Sequence, residues 1–126
     1  MSTFEHRLSA GEVLVADGAT GTNLHRMGLP VGFSPEELVL DNPDILLRLE
    51  NAFVEAGSDI LLTCTFGGSG IRLQESRYAG RTAEINLRAA KLARQAASAR
   101  PGVLVGGSIG PIGKLLKPYG PVSPDE

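Results

Sequence analysis

The 126-residue sequence predicts an α/β fold with a parallel sheet, because three short apolar runs alternate with segments of helical periodicity. The apolar runs occupy residues 13–16, 60–62 and 103–105. None of them alternates apolar with polar residues, which is typical of strands that are buried on both faces. We therefore expect the order strand, helix, strand, helix, strand, with right-handed crossovers between the strands.

The composition is typical of a soluble globular protein and argues against several classes of partner. Hydrophobic residues make up 42% and charged residues 21% of the chain, and the formal net charge is −2. This charge argues against binding to nucleic acid or to a membrane surface. No apolar run approaches the roughly 20 residues of a membrane span, and residues 1–12 lack the apolar core of a secretory signal. A single cysteine, Cys64, fits a reducing compartment, so we expect a cytoplasmic protein.

The helices are predicted from the spacing of apolar residues and from the residues that begin and end each segment. Asn42 followed by Pro43 is a favourable helix start, and Gly57 is a natural end for the apolar stripe that follows. A second long helix is expected over residues 82–99, which are rich in alanine and arginine. Two shorter helices are predicted at residues 22–27 and 71–75.

The remaining segments are predicted to be connections. Residues 1–12 are polar and form a lead-in to the first strand, whereas residues 31–40 and 110–126 are interrupted by glycine and proline and are expected to be loops. The acidic pair of Glu36 and Glu37 is expected on the solvated surface.

Polar or glycine-rich residues follow each predicted strand. The first run is followed by Asp17-Gly18-Ala19-Thr20-Gly21-Thr22, the second by Thr63-Cys64-Thr65-Phe66, and the third by residues 106–111. The carboxyl ends of parallel strands lie at one edge of a sheet, and their loops are free to carry polar groups. The three segments are therefore expected to form one face of a ligand site.

Asp17 is the first candidate for a contact with a ligand. Its carboxylate can accept hydrogen bonds from a substrate ammonium, or it can cap the following turn through the backbone. Gly18 and Gly21 are expected to adopt positive φ or to allow a ligand to approach closely, although such turns also exist for steric reasons alone. Thr20 and Thr22 are expected to act as helix N-caps rather than as ligand contacts.

The second strand end supplies the other candidates. Thr63 and Thr65 point to the same side of the chain, where they either line the ligand site or belong to the wall of the sheet. Phe66 either lines the pocket or covers the core. Cys64 points to the opposite side and is expected to be a small buried hydrophobic residue.

The predicted elements correspond to roughly the first three strand–helix units of a (β/α)8 barrel, which usually needs about 250 residues. A small open sheet of three strands is the alternative, but it would leave its edges exposed. We therefore expect residues 1–126 to form the N-terminal part of a single barrel domain, apparently truncated.

Four stretches, in the same order, resemble the homocysteine S-methyltransferases. They are the strand and Asp-Gly turn at residues 14–22, the helix and strand at 51–60, the strand end Thr63-Cys64-Thr65-Phe66, and the helix at 83–94 with the turn Gly107-Ser108-Ile109-Gly110-Pro111. The resemblance spans residues 11 to 121. The family includes the homocysteine-binding module of cobalamin-dependent methionine synthase and the betaine-dependent enzymes.

The resemblance implies a (β/α)8 barrel that transfers a methyl group to the sulfur of homocysteine and so produces methionine. It implies that Asp17 binds the amino group of homocysteine, and that Gly18, Thr63, Thr65 and Phe66 belong to the substrate pocket. The methyl donor stays open among a methylated corrinoid, a betaine and a methylated sulfonium.

The family activates the homocysteine thiol with a zinc ion that is held by three cysteines, and this sequence departs from that pattern. Its one cysteine, Cys64, is not at a zinc-ligand position of the family. We therefore expect no catalytic residues in this chain, no bound zinc and no methyltransferase activity of the chain alone.

Two other functions stay open. One is a related methyltransferase that uses another thiol or another donor. The other is a non-catalytic half-barrel that binds or assembles, either with the missing half of the barrel or with itself through exposed sheet edges.

Overall fold

The computed structural model describes residues 3–126, and its elements largely follow the predicted alternation. The elements are α1 (Thr3–Ser9), α2 (Thr20–Arg26), a 3-10 helix (Pro35–Glu37), α3 (Leu38–Asp41), α4 (Pro43–Glu55), β1 (Ile60–Leu62), α5 (Gly70–Leu73), α6 (Thr82–Ala97) and β2 (Leu104–Gly106). β1 and β2 pair in parallel, with Ile60 opposite Leu104 and Leu62 opposite Gly106. The prediction of a mixed α/β fold with parallel strands is confirmed.

The segment at residues 13–16 was predicted as a strand, and this prediction was wrong. Ala16 forms a single parallel bridge with Ile60. The amide N–H of Ile60 donates to the carbonyl oxygen of Val15 at 3.1 Å, and that of Asp17 donates to the carbonyl oxygen of Ile60 at 2.9 Å. Both valines of the segment are exposed, so they are not packed on two faces as a buried strand would be. The bridge nevertheless places Asp17 directly beside β1.

Two segments that were predicted as connections contain helices. Residues 3–9 form α1, which is held by Arg7 because its guanidinium donates to the carboxylate of Asp59 at 3.1 Å and to the carbonyl oxygen of Gly102 at 3.0 Å. Residues 35–41 form the 3-10 helix and α3 rather than a loop. Proline is favourable at the first position of a helix, so the proline that suggested a loop instead begins the 3-10 helix.

The two long helices begin and end close to the residues that the sequence predicts. α4 begins at Pro43, although the Asn42 side chain makes no capping hydrogen bond, and Gly57 after its end has a φ of 103°. α6 begins at Thr82 as predicted and ends two residues before the predicted boundary. Such small differences are usual at helix ends.

Two hydrophobic clusters hold these elements together. The larger lies among the helices, and its buried members are Leu24, Leu29, Val39, Leu46, Leu49, Cys64, Leu73, Ile85 and Ala89. The smaller packs α4 and α6 against the strands, and its buried members are Val54, Leu61, Ala96, Ala97 and Val103. Phe53 packs against both clusters and links them. Within residues 3–126, none of the helices has the length and apolar character to cross a membrane.

Candidate functional site

A cleft of about 730 Å³ opens beside the carboxyl end of β1. Its walls come from the start of α2, residues 32–37, the segment after β1, α5 and Ser108 after β2. Three of the residues predicted to bind substrate line it, namely Gly18, Thr63 and Phe66. The strand ends thus meet at one edge, as the sequence predicts.

Asp17 is fixed at this edge by β1. The amide N–H of Leu62 donates to Oδ2 of Asp17 at 3.0 Å. The other oxygen, Oδ1, is buried and has no hydrogen-bond partner in the described part of the chain. Burial raises the pKa of the Asp17 carboxyl, and the hydrogen bond from Leu62 opposes this effect. One oxygen therefore positions the side chain, and the other is left to accept a hydrogen bond.

Glu50 on α4 lies beside Asp17 and was not predicted as a site residue. Both side chains line a small cavity of about 10 Å³. Glu50 is 6% exposed, and its Oε2 has no hydrogen-bond partner among residues 3–126. Burial, with a smaller contribution from the charge of Asp17, raises the pKa of Glu50 to about 7. The sequence did hold a signal, because helical spacing places residue 50 on the apolar stripe formed by Leu46, Leu49 and Phe53.

The two threonines after β1 are engaged with the chain that follows β2. The hydroxyl oxygens of Thr63 and Thr65 lie 2.7 Å apart. The Thr65 hydroxyl donates to the carbonyl oxygen of Ser108 at 2.7 Å, and the amide N–H of Ser108 donates to Thr63 Oγ1 at 3.1 Å. Since a hydroxyl has one proton, Thr63 must be the donor to Thr65. The pair therefore points to one side, as predicted, and fixes the turn after β2.

The glycines and Phe66 shape the rim of the cleft. Phe66 is 61% exposed, and a Cβ on Gly110 would lie 2.3 Å from the Phe66 carbonyl oxygen, so the two backbones touch. A Cβ on Gly18 would lie 3.1 Å from the ring of Phe53. Neither Gly18 nor Gly21 has a positive φ, so close packing is the feature of Gly18 that the structure supports.

The threonines of α2 do not cap the helix as expected. The residue at the N-cap position is Ala19, and no side chain makes a capping hydrogen bond there. α2 begins at Thr20, whose side chain lines the cleft instead.

The expectation that Glu36 and Glu37 are solvated is wrong. They are 4% and 7% exposed, respectively. Glu36 Oε1 accepts a hydrogen bond from the amide N–H of Gly67 at 2.7 Å, and the Ser34 hydroxyl donates to Oε2. Glu37 Oε2 accepts two hydrogen bonds from the Arg77 guanidinium, at 2.8 and 3.1 Å. Buried carboxylates that are paired in this way are tolerated, and both residues line the cleft.

Cys64 is confirmed as a small buried hydrophobic residue. It is 6% exposed and packs in the larger cluster. Burial raises the pKa of its thiol, and the charges of Glu36 and Glu50 raise it further. The thiol therefore stays protonated and is a poor nucleophile.

Comparison with known proteins assigns the family. Residues 14–126 match the homocysteine S-methyltransferase family. The chain belongs to this family. It is 31% identical over 102 residues to the S-methylmethionine–homocysteine S-methyltransferase BHMT2 of Pongo abelii, a match that covers 80% of this chain and 27% of that protein. It is 31% identical over 104 residues to betaine–homocysteine S-methyltransferase 1 of Danio rerio, covering 80% of this chain and 26% of that protein.

Solved structures of another homocysteine methyltransferase show a similar fold. The oxidized form of MmuM from Escherichia coli superposes with a TM-score of 0.79 at 22% identity, covering 90% of this chain and 42% of that chain. The metallated form superposes with a TM-score of 0.76 over 87% of this chain. The chain spans about a quarter of the length of the curated relatives that it matches.

This member of the homocysteine S-methyltransferase family does not provide a zinc site from its described residues. No group of three or more histidine, cysteine, aspartate or glutamate side chains in residues 3–126 is arranged to hold a metal ion. Cys64, the one cysteine of the sequence, is buried in the larger cluster and protonated. The residues present therefore do not fit a three-cysteine zinc centre.

Proposed function

We propose that this chain is the homocysteine-binding, N-terminal part of a (β/α)8 barrel in a homocysteine S-methyltransferase. The family match over residues 14–126 supports this proposal, and so does the similarity to MmuM over 42% of that chain. The convergence of the strand ends beside one cleft supports it as well.

The observation that carries the proposal is the unpartnered Oδ1 of Asp17. In the proposed complex this oxygen accepts a hydrogen bond from the ammonium of homocysteine, while Oδ2 stays bound to the Leu62 amide. A charge-assisted hydrogen bond is among the stronger polar contacts. The small residue Gly18 lets the substrate backbone approach, and Thr63 and Phe66 form the neighbouring wall.

The proposed reaction moves a methyl group from a donor to the homocysteine sulfur, which must lose its proton to become a good nucleophile. The residues of this chain bind and orient homocysteine, and none of them is assigned a role in the chemical step. The relatives are named for S-methylmethionine and betaine, so we propose a sulfonium or quaternary ammonium compound as the methyl donor.

The proposal is tested by isothermal titration of the chain with L-homocysteine under reducing conditions. We expect Asp17→Asn to weaken binding at least about tenfold, since a hydrogen bond to a charged group contributes about 1.5–3 kcal/mol. Asp125→Asn, an exposed carboxylate at the other end of the chain, is the matched control and should bind as the unmodified chain does.

A substrate analogue sharpens this test. 4-Mercaptobutanoate lacks the amino group of homocysteine, so its binding should not respond to Asp17→Asn. If Asp17→Asn leaves the affinity for homocysteine unchanged, or if the chain does not bind homocysteine, the proposed function is contradicted.

A second candidate is a non-catalytic module that self-associates or completes a barrel with another chain. It is favoured by the edges of the sheet, because in residues 3–126 β2 pairs with β1 alone and Ala16 joins β1 through a single bridge. Light scattering after size exclusion tests it: a monodisperse dimer supports this candidate, and a monomer over a wide concentration range contradicts self-association.

A further inference from the structure

The carboxyl groups of Asp17 and Glu50 face one small cavity, and each has one buried oxygen without a hydrogen-bond partner in the described part of the chain. Asp17 Oδ1 and Glu50 Oε2 are both inaccessible to solvent and lack a hydrogen-bond partner within residues 3–126. An unpartnered buried polar atom is costly, so it indicates a site that a ligand or a proton completes. Glu50 is more than nine-tenths buried, which makes its free oxygen the more unusual of the two.

The cavity has the size that a small cation needs, and it lies next to the cleft. Its volume of about 10 Å³ is close to the smallest space that holds one water molecule, and an ammonium head group is of similar size. Thr20, Leu62 and Cys64 line both this cavity and the larger cleft, so the two spaces share a wall. The ammonium of a ligand in the cleft would therefore lie next to the cavity.

The charge around the cavity is set by few groups. Asp17, from the segment before α2, and Cys64, from the segment after β1, are the other ionisable side chains in its lining, and the thiol stays neutral. α2 contributes the uncharged Thr20, β1 contributes Leu62, and α4 contributes apolar neighbours of Glu50. Neither α3 nor α6 contributes a lining residue. Asp17 is therefore the charge that acts on Glu50, and among residues 3–126 no lysine, arginine or histidine lines the cavity.

We propose that Asp17 and Glu50 together form one ammonium-binding site, in which Glu50 releases its proton to solvent when the ammonium enters. The inference rests on the proposed function in that the natural ammonium is taken to be that of homocysteine. Without a ligand, a proton on Glu50 spares the pair from carrying two like charges. A bound ammonium supplies a positive charge that compensates for both carboxylates, so the proton is no longer favoured.

The proposal gives binding a defined dependence on pH. Because the pKa of free Glu50 is about 7, binding at pH 7 should release roughly half a proton per ligand. The apparent affinity should rise about tenfold between pH 6 and pH 8, since Glu50 no longer has to lose a proton at the higher pH. Glu50→Gln should bind with nearly constant affinity over this range.

The titration of Glu50 is measured directly by NMR of the chain labelled with 13C at the glutamate side-chain carboxyl carbons. Glu50→Gln identifies its signal, and Glu55→Gln, an exposed glutamate on the same helix, is the matched control. The titration is recorded for the free chain, with methylammonium chloride, and with L-homocysteine. We expect both ligands to shift the Glu50 midpoint to lower pH, by at least about one unit, and to leave Glu55 unchanged.

Calorimetry gives an independent readout of the released proton. Titrations of homocysteine at pH 7 in phosphate and in Tris, whose ionisation enthalpies differ, report the protons released per ligand. The release should disappear in Glu50→Gln and persist in Glu55→Gln.

The outcomes separate this inference from the proposed function. If homocysteine binds through Asp17 but the Glu50 midpoint does not move, the inference is wrong and the proposed function stands. If methylammonium moves the midpoint but homocysteine does not bind, the inference stands and the proposed function is wrong. If neither compound binds and neither moves the Glu50 midpoint, both the inference and the proposed function are wrong.

Discussion

The hydroxyl oxygens of Thr63 and Thr65 lie 2.7 Å apart, and together they hold Ser108 by both its amide and its carbonyl group. This chain of hydrogen bonds joins the end of β1 to the turn after β2. It also uses the only proton of each hydroxyl, so a ligand could meet these groups only as acceptors. These hydrogen bonds therefore fix the edge of the cleft in the absence of a ligand.

Thr65→Val should destabilise the chain by about 1–3 kcal/mol, because it leaves the buried Thr63 hydroxyl and the half-buried Ser108 carbonyl without their partner. Urea unfolding measures the change in the free energy of unfolding. Thr22→Val is the control, since Thr22 is exposed on α2, and it should change stability by no more than about 0.5 kcal/mol. Equal effects of the two substitutions would show that the hydrogen-bonded pair contributes nothing.

Gly110→Ala should be destabilising by about 1–3 kcal/mol, because the new Cβ would lie 2.3 Å from the carbonyl oxygen of Phe66. The turn or the Phe66 backbone must move, which should also disturb the rim of the cleft. Gly107→Ala is a close control, since nothing lies within 4 Å of its Cβ position. Thermal unfolding distinguishes the two variants; a melting temperature for Gly110→Ala at or above that of Gly107→Ala contradicts the close packing.

The parts of the fold that the sequence predicts are those with strong local signals. α4 follows from Asn42-Pro43 and an apolar stripe, and α6 from a long run of helix-forming residues. The same reasoning failed at residues 13–16. An apolar run there predicts a buried strand, but both of its valines are exposed and no second layer packs on them. Strand formation depends on packing from distant segments, which local sequence does not report.

The prediction of the site has the same limits as the prediction of the fold. Asp17 and Thr63 were singled out because they follow predicted strands, and ligands bind at strand ends. Glu36 was missed because its partner, the Gly67 amide, is 31 residues away in sequence, so an acidic pair looks solvated. Glu50 was missed for a related reason. Its burial was readable from the helical spacing, but the neighbouring Asp17 belongs to another segment.

The purified chain should hold less than one zinc ion per ten chains, because its described residues offer no three-ligand cluster and its one cysteine is buried. Elemental analysis after dialysis against a metal-free buffer measures this ratio. Cys64→Ser should give the same background value. One zinc ion per chain that is lost in Cys64→Ser would contradict the prediction and assign Cys64 as a ligand.

The stability of the chain should fall as the pH rises from about 4.5 to 7, and Glu50 is the cause. Its pKa is raised from 4.5 to about 7 in the folded state, so the folded chain holds this proton more tightly than the unfolded chain. The contribution is fully present below the unfolded pKa and is lost as the pH rises through the folded pKa, at most about 3 kcal/mol in all.

Urea unfolding at pH 5 and pH 8 tests this sign, with Glu50→Gln and Glu55→Gln compared in parallel. The unmodified chain and Glu55→Gln should both be less stable at pH 8 than at pH 5, whereas Glu50→Gln should lose most of this difference. The aspartates whose pKa is lowered by hydrogen bonds, Asp41 and Asp59, titrate below this window and cannot produce the effect. If the unmodified chain and Glu50→Gln have the same pH dependence, the pKa of Glu50 is not raised in the folded chain and its carboxyl group is already largely ionised at pH 5. In that case both carboxylates would be charged at neutral pH, and the proton that the ammonium site is proposed to release would not exist.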